Sequence, residues 1–428
     1  MHSTPATVKK IVIIGGGFAG LSVAKGLRRL HADITLIDQS NHHLFQPLLY
    51  QVATASLSPA DIAAPLRHIL SDCSHINVIM AEVVSIDKVL SHVVTKKGLV
   101  FPFDYLVVAT GSRHSYFGKN HWESLAPGLK TLQDALTIRE KILLAFEQAE
   151  TASNPDLQRR LLTFVVVGGG PTGVEMAGAI AEIAKQTIKD DFKHIKPAST
   201  RILLIESSGA VLNRYPPSLR EAAQKSLEAL GVEVLLNKMV TDMRKGAVQL
   251  NHEWVEAHTI IWAAGNTAPS FLTTLDVPLE KSGQVIVQAD LSLVDYPHIC
   301  VIGDCAKALD RSNNPLPATS PVAIQQGQYV AKIIRGEPWK KGRPLFRYFD
   351  KGSMATIGRG QAVASILSFQ FTGFFAWILW SLTHIFFLIN FRAKVLVMLN
   401  WAWSYLRAYR GVRLIVHNTN DNDIVFDD

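Results

Sequence analysis

Lys10-Ile-Val-Ile-Ile-Gly-Gly-Gly-Phe-Ala-Gly20 is a short aliphatic run that breaks into glycines and continues as an alanine-rich helical pattern to about Leu30. A second apolar run, Ile34-Thr-Leu-Ile-Asp38, follows it. Leu162-Thr-Phe-Val-Val-Val-Gly168 starts the same series again: glycine turn, helix to about Lys185, strand Arg201-Ile-Leu-Leu-Ile-Glu206. Strand, tight turn, helix and parallel strand make a βαβ unit, and its recurrence predicts a duplicated α/β architecture. Around these units the pattern predicts a helix from about Asp61 to Leu70, a strand Tyr105–Ala109 and a helix from about Leu132 to Glu150. Further buried strands begin at Thr259 and His298.

Both turns read G-x-G-x-x-G. In the first, Gly15 makes the tight turn and Gly17 lets the backbone approach a pyrophosphate. Gly20 lets the helix pack on the strand, with Phe18 and Ala19 at the positive helix N-terminus. Asp38, followed by Gln39, ends the next strand 18 residues after Gly20, where a carboxylate accepts from a ribose. The second turn repeats this with Gly168, Gly170, Pro171, Thr172 and Gly173, and Glu206 closes its strand. A carboxylate there repels a 2′-phosphate and bonds a free 2′-hydroxyl, favouring NADH over NADPH; the alternative for Glu206 is a solvated strand end. Ala264-Gly265, after the strand from Thr259, joins this nucleotide-contact set.

Val107-Val-Ala-Thr110-Gly111-Ser112 is a strand entering a glycine turn, and Gly303-Asp304 sets an acid just past another strand end. In this order the four motifs resemble the two-dinucleotide flavoproteins that include glutathione reductase, over roughly Lys10 to Gly336. The resemblance implies two Rossmann-like domains and non-covalent FAD. Disulfide reductases of that group carry Cys-x4-Cys after the flavin-domain helix, whereas Asp38 to Ala60 holds no cysteine. Cys300 and Cys305 have that spacing but straddle Gly303-Asp304, which fits inert core thiols; Cys73 is isolated. Thiol chemistry and a sulfide oxidase are disfavoured.

That cysteine-free segment reads Asn41-His-His-Leu-Phe-Gln-Pro-Leu-Leu-Tyr-Gln-Val-Ala-Thr54. Adjacent histidines point apart, so His42 and His43 are poor metal ligands, and no metal site is expected. The segment is similar to the signature of the type II (single-subunit, non-proton-pumping) NADH dehydrogenases. So are Gly173-Val-Glu175-Met-Ala-Gly178, Ala323-Ile-Gln-Gln326-Gly327 and Asp350-Lys-Gly-Ser-Met-Ala-Thr-Ile-Gly-Arg359. One departure is Ser320-Pro321, where many members have Ala-Gln. The resemblance implies a membrane-associated respiratory enzyme passing a hydride from NADH to FAD and electrons to a quinone. It further implies Glu175 near the nicotinamide and in proton handling, Lys351 as a cation by the flavin and quinone pocket, and Gln325 and Gln326 as amide donors to a quinone carbonyl. The plain alternatives are a helix-dipole carboxylate, a solvated lysine and helix-surface amides.

The chain has 428 residues, 43 basic against 36 acidic. Its +7 balance suits nucleic acid, anionic membrane or anionic cofactors. No nucleic-acid module is recognisable, so none is expected to bind. From Gln361 to Asn420 there are five basic residues, no acid and four of the eight tryptophans, Trp377, Trp380, Trp401 and Trp403. Phe369 to Phe391 is 23 uncharged residues, long enough to span a bilayer, though Gln370, Ser381 and His384 share one side. Beyond it Asn400, Ser404, Arg407 and Arg410 oppose Val395, Met398, Leu399, Ala402, Leu406 and Tyr409. That pattern predicts a helix lying in the membrane interface. A homodimer would use the same apolar faces. We therefore expect residues 1–115 and 268–335 to bind FAD, 116–267 NADH, and 336–428 to form a quinone-site and amphipathic helical membrane-anchoring module. No leader is expected ahead of the first strand, and the protein is expected on the cytoplasmic side of the cell inner membrane as a peripheral, monotopic enzyme. Rival readings are a soluble ferredoxin- or rubredoxin-type reductase and an NADH-sensing flavin-containing interaction protein.

Overall fold

The computed structural model describes residues 8–189, 191–336, 343–407 and 412–415. They form two compact units. One comprises the chain up to Leu44, Ala63–Arg113 and Asn266–Lys351; the other comprises Phe45–Ile62, His114–Gly265 and the chain from Gly352 onward.

In the first unit six strands lie in the order Ser292–Leu293, Tyr296–Val301, Tyr105–Val108, Lys10–Ile14, Asp33–Asp38, Ile76–Met80. All but the Ser292–Leu293 edge run parallel. Lys10–Ile14 sits centrally, which is why Ile11 to Ile14 are aliphatic without alternation. The helices Phe18–Leu27 and Ser320–Arg335 cross at glycine: a Cβ on Gly327 would stand 2.4 Å from the Ala19 carbonyl oxygen. The expected helix from Asp61 to Leu70 is instead two single turns, Pro59–Ile62 and Leu66–Ile69, parted by the strand Ala63–Pro65. Pro65 has no N–H to give a helix and biases Ala64 toward extended backbone. This strand pairs antiparallel with His42–Leu44.

The second unit is built on four parallel strands, in the order Val232–Leu235, Arg201–Ile205, Thr163–Val167, Thr259–Trp262. Its nucleotide helix, Pro171–Glu182, carries on its far side the antiparallel sheet Ser353–Gly358, Gln361–Ile366, Phe369–Thr372. Gly178 makes this approach feasible: a Cβ there would lie 1.9 Å from the Ile357 carbonyl oxygen. Hence the C-terminal segment, read from sequence as a separate module, groups with the second dinucleotide unit, as does Phe45–Ile62. Downstream the 23 uncharged residues divide into a strand, the 15-residue helix Gly373–Phe387 and a short link to the helix Phe391–Arg407. Fifteen residues reach only ~22 Å, short of a ~30 Å hydrocarbon core. Among the described residues no helix is long and apolar enough to cross a membrane.

Gly178→Ala should therefore force helix and sheet apart. We expect a lowered thermal unfolding midpoint of the purified protein, a loss of ~1–3 kcal/mol in keeping with overpacking elsewhere. An unchanged midpoint would show that the contact yields without cost.

Candidate functional site

The first glycine turn has the geometry of a phosphate cradle. Gly15 sits at φ +101°, and a Cβ on it would be 2.3 Å from the Ala109 carbonyl oxygen; one on Gly20 would be 1.9 Å from that of Gly15. A Cβ on Gly17, at the helix N-terminus, would meet nothing within 4 Å. That open side adjoins the positive end of the helix, as an anion requires. Asp38 accepts from the Gly16 N–H at 2.6 Å and the Ser40 N–H at 2.6 Å. Burial nevertheless raises its pKa, the two amides offsetting only part. Gln39 beside it is exposed. The Thr110 hydroxyl is buried beside the Cys305 thiol with no oxygen or nitrogen partner, and Gly111, at φ +69°, faces open space. Asp304 accepts from the Ser112 hydroxyl at 3.0 Å. An orphaned hydroxyl, an open glycine and two carboxylates along one sheet edge fit FAD. Ser112 was not singled out from sequence, although it completes the Ala-Thr-Gly-Ser run.

The second turn repeats the cradle. Gly168 lies at φ +110°, and a Cβ on it would be 2.9 Å from the Ala263 main chain; one on Gly173 would be 1.8 Å from the Gly168 carbonyl oxygen, and Gly170 is open. Pro171 takes the first helical position, where its missing N–H costs nothing, and Thr172 follows. Glu206 accepts from the Gly169 N–H at 2.6 Å through Oε2; Oε1 accepts from the Ser208 N–H at 2.8 Å and hydroxyl at 2.6 Å. Burial pushes this carboxyl up, but Ser208, Gly169 and Ser207 outweigh it and hold the pKa below the ordinary range. Glu206 is thus a fixed anion, and Ser208, unnoticed in the sequence, fixes it. Gly265, at φ +70°, turns the chain after Ala264 with Phe117 2.7 Å behind where a Cβ would lie.

Glu175 is half-buried on the first turns of the second nucleotide helix. Burial raises its pKa to about 8, against a hydrogen bond from the Thr356 N–H. Burial, and after it the Glu175 charge, raises that of Tyr215. Lys351 is exposed at the end of the first unit. Gln325 holds the segment before it, donating to the Phe349 carbonyl at 2.9 Å and accepting from the Phe349 N–H at 2.9 Å. Gln326 departs from its expected role as a quinone donor. It is 1% exposed, and its oxygen accepts from the Gly303 N–H at 2.6 Å, bracing the turn before Asp304. Cys300 and Cys305 are buried, and desolvation pushes both thiols up, Cys300 to about 12. Among the described residues no cluster of His, Cys, Asp and Glu could hold a metal ion.

The C-terminal helices invert the polarity of a soluble surface. On Gly373–Phe387 the buried residues are Ala376, Trp380 and Ser381, while Phe375 is 57% and Phe386 72% exposed. His384 donates through Nδ1 to the Trp380 carbonyl at 2.7 Å, and burial lowers its pKa to about 4. On the next helix Met398, Leu399 and Trp403 are exposed, yet Trp401 turns inward. Its indole N–H donates to Gln51 Oε1 at 2.7 Å, and Gln51 donates to the Tyr50 hydroxyl at 2.8 Å. The side chains of Ser404, Leu406 and Arg407, and residues Tyr409 and Arg410, lie outside the described residues.

Comparison with known proteins agrees with this layout. Residues 9–327 match the pyridine nucleotide-disulphide oxidoreductase family and residues 351–408 the NDH2 C-terminal domain. The type II NADH:quinone oxidoreductase Ndh of Mycobacterium tuberculosis is 42% identical over 422 residues, 95% of this chain and 90% of that protein. That of Staphylococcus saprophyticus is 29% identical over 371 residues, 84% of this chain and 90% of that protein. The structure of NDH2 from Plasmodium falciparum in complex with NADH superposes with a TM-score of 0.87 at 20% identity, covering 96% of this chain and all of that one, a likeness of fold. The soluble-reductase and sensor readings are not favoured. With both turns, their acids and the C-terminal sheet in place, the chain belongs to the type II NADH:quinone oxidoreductases, FAD-dependent enzymes that oxidise NADH and reduce a quinone.

Proposed function

We propose that the family's reaction runs here on a membrane surface, with Glu206 selecting NADH, Glu175 handling a proton, and the two C-terminal helices holding the protein on one leaflet. FAD would be held by the Gly15–Gly20 turn, Asp38, Thr110 and Asp304. The chemistry it supplies when bound is acceptance of a hydride equivalent from NADH and release of two electrons to the quinone. Glu206 accepts from the ribose hydroxyls and repels a 2′-phosphate. Gln325 orders the segment ending in Lys351, whose ammonium stabilises negative charge at the electron-transfer site. Protonated near neutral pH, Glu175 has a proton to give during quinone reduction.

The membrane reading rests on one observation, the row of exposed aromatic side chains on Gly373–Phe387 while Ser381 and His384 face inward. Water would favour the opposite arrangement, and a lipid interface favours this one. The acid-free basic composition of the segment suits an anionic leaflet, here the cytoplasmic face of a prokaryotic inner membrane.

Three outcomes test these roles. Glu206→Gln should lower the NADH-to-NADPH ratio of kcat/KM by about tenfold, the order expected when one charge repulsion is removed; an unchanged ratio removes Glu206 from cofactor choice. For Glu175 the folded pKa lies above the ordinary 4.5, so the folded state binds the proton more tightly. Wild type should lose stability relative to Glu175→Gln as pH rises from about 4.5 to about 8, and no further above that. Its kcat for quinone reduction should also fall above about pH 8, a limb absent from the slower Gln variant. Finally, Phe375→Ser with Phe386→Ser and Met398→Ser should weaken binding to anionic liposomes and long-chain quinone reduction, while NADH–ferricyanide turnover persists. Undiminished liposome binding together with dissociation of a dimer would assign the face to a second copy of the chain.

A further inference from the structure

His43 stands under the first glycine turn with no part in the reaction. It lies in the strand His42–Leu44, opposite Ala64, and is 2% exposed. Its Nδ1 is 2.9 Å from the Gly16 carbonyl oxygen, and its ring meets that of Phe18 edge-on at 5.0 Å. Its Nε2 is buried without a partner. A carbonyl only accepts, so Nδ1 carries the hydrogen. Burial lowers the imidazole pKa to about 4, so at neutral pH that is its one ring N–H, and Nε2 keeps a bare lone pair in a dry place. Packing alone would choose leucine, which strands no polar atom.

The bond acts on a peptide whose orientation matters. In a trans peptide the Gly16 C=O and the Gly17 N–H point in opposite directions. Two glycines flank this peptide, so no side chain opposes its rotation. Gly17 is the helix N-cap, with the open side described above. Gly16 is therefore held at both ends, its N–H by Asp38 and its C=O by His43. The second turn has the same clamp made of main chain: the Gly169 carbonyl accepts from the Leu212 N–H at 2.7 Å, while the Gly169 N–H goes to Glu206. Leu212 takes a left-handed φ of +51° there.

We propose that His43 is a positioning residue for FAD, its Nδ1–H clamping the Gly16 carbonyl so that the Gly17 N–H faces the flavin pyrophosphate. The proposal rests on FAD occupying this turn. Holoenzyme of wild type, His43→Leu, His43→Asn and His43→Gln would be serially diluted, and free flavin separated by ultrafiltration and read by fluorescence. The Asn side-chain N–H reproduces the reach of Nδ1–H, and that of Gln does not. We expect His43→Leu and His43→Gln to raise the FAD Kd about tenfold, the order of one hydrogen bond serving a charged contact, and His43→Asn to stay within about twofold. NADH, which uses the other turn, is the internal reference: its Kd should not move, whereas general loosening of the fold would shift both. The proposal is overturned if His43→Leu keeps the wild-type FAD Kd, or if His43→Asn loses as much as His43→Leu. If His43→Leu does not fold, equal Kd values for the Asn and Gln variants overturn it. A wild type without FAD would instead refute the cofactor assignment of the turn.

Discussion

Direct contact of backbone with backbone, at places where any side chain would intervene, recurs through both units. Gly20 against the Gly15 carbonyl and Gly173 against that of Gly168 seat each nucleotide helix on the end of its strand, at separations a Cβ would cut to 1.9 and 1.8 Å. Only that seating leaves helix N–H groups at the strand edge with room for a pyrophosphate. Gly327 on Ala19 and Gly178 on Ile357 extend the device to the helix Ser320–Arg335 and to the C-terminal sheet. Placement of the carboxylates follows from it, because Asp38 and Glu206 reach the Gly16 and Gly169 N–H groups where those turns are tight.

The two carboxylates share one geometry, yet their pKa values move in opposite directions. Each takes a glycine N–H at 2.6 Å. Asp38 is raised because burial exceeds what two amides return; Glu206 is lowered because the Ser208 hydroxyl and the Ser207 hydroxyl add to the amides. A fixed anion suits discrimination against a phosphate, while a buried acceptor needs only to bond hydroxyls. The difference lies in one short serine pair after the strand, and nowhere in the G-x-G-x-x-G pattern itself.

Much of the cofactor architecture was legible because its signals are local. A strand, its turn and its acid fall within about forty residues, and glycine is chemically unambiguous. What escaped depends on distant partners. Gln326 reads as a surface amide until Gly303 closes on it, and Trp401 as one more tryptophan of the acid-free segment until Gln51, 350 positions away, accepts its N–H. Phe45–Ile62 gave no sign that it groups with the second unit, since its apolar pattern fits either. The break at Ala63–Pro65 was foreseeable from Pro65; the pairing with His42–Leu44 that exploits it was not.

Glu175, Gly178 and Glu182 lie on one helix, and each meets the strand Ser353–Gly358 or the residue just after it: Glu175 through the Thr356 N–H, Gly178 against Ile357, Glu182 through the Arg359 N–H. The C-terminal sheet is thus written partly into the nucleotide helix, nearly two hundred positions upstream. Recombination that exchanged the tail between relatives as a cassette would carry the strand and leave behind the three residues that receive it. In this protein the helix and its strand are one packing unit, so a change of volume or charge in the tail is felt at the nucleotide turn's own helix.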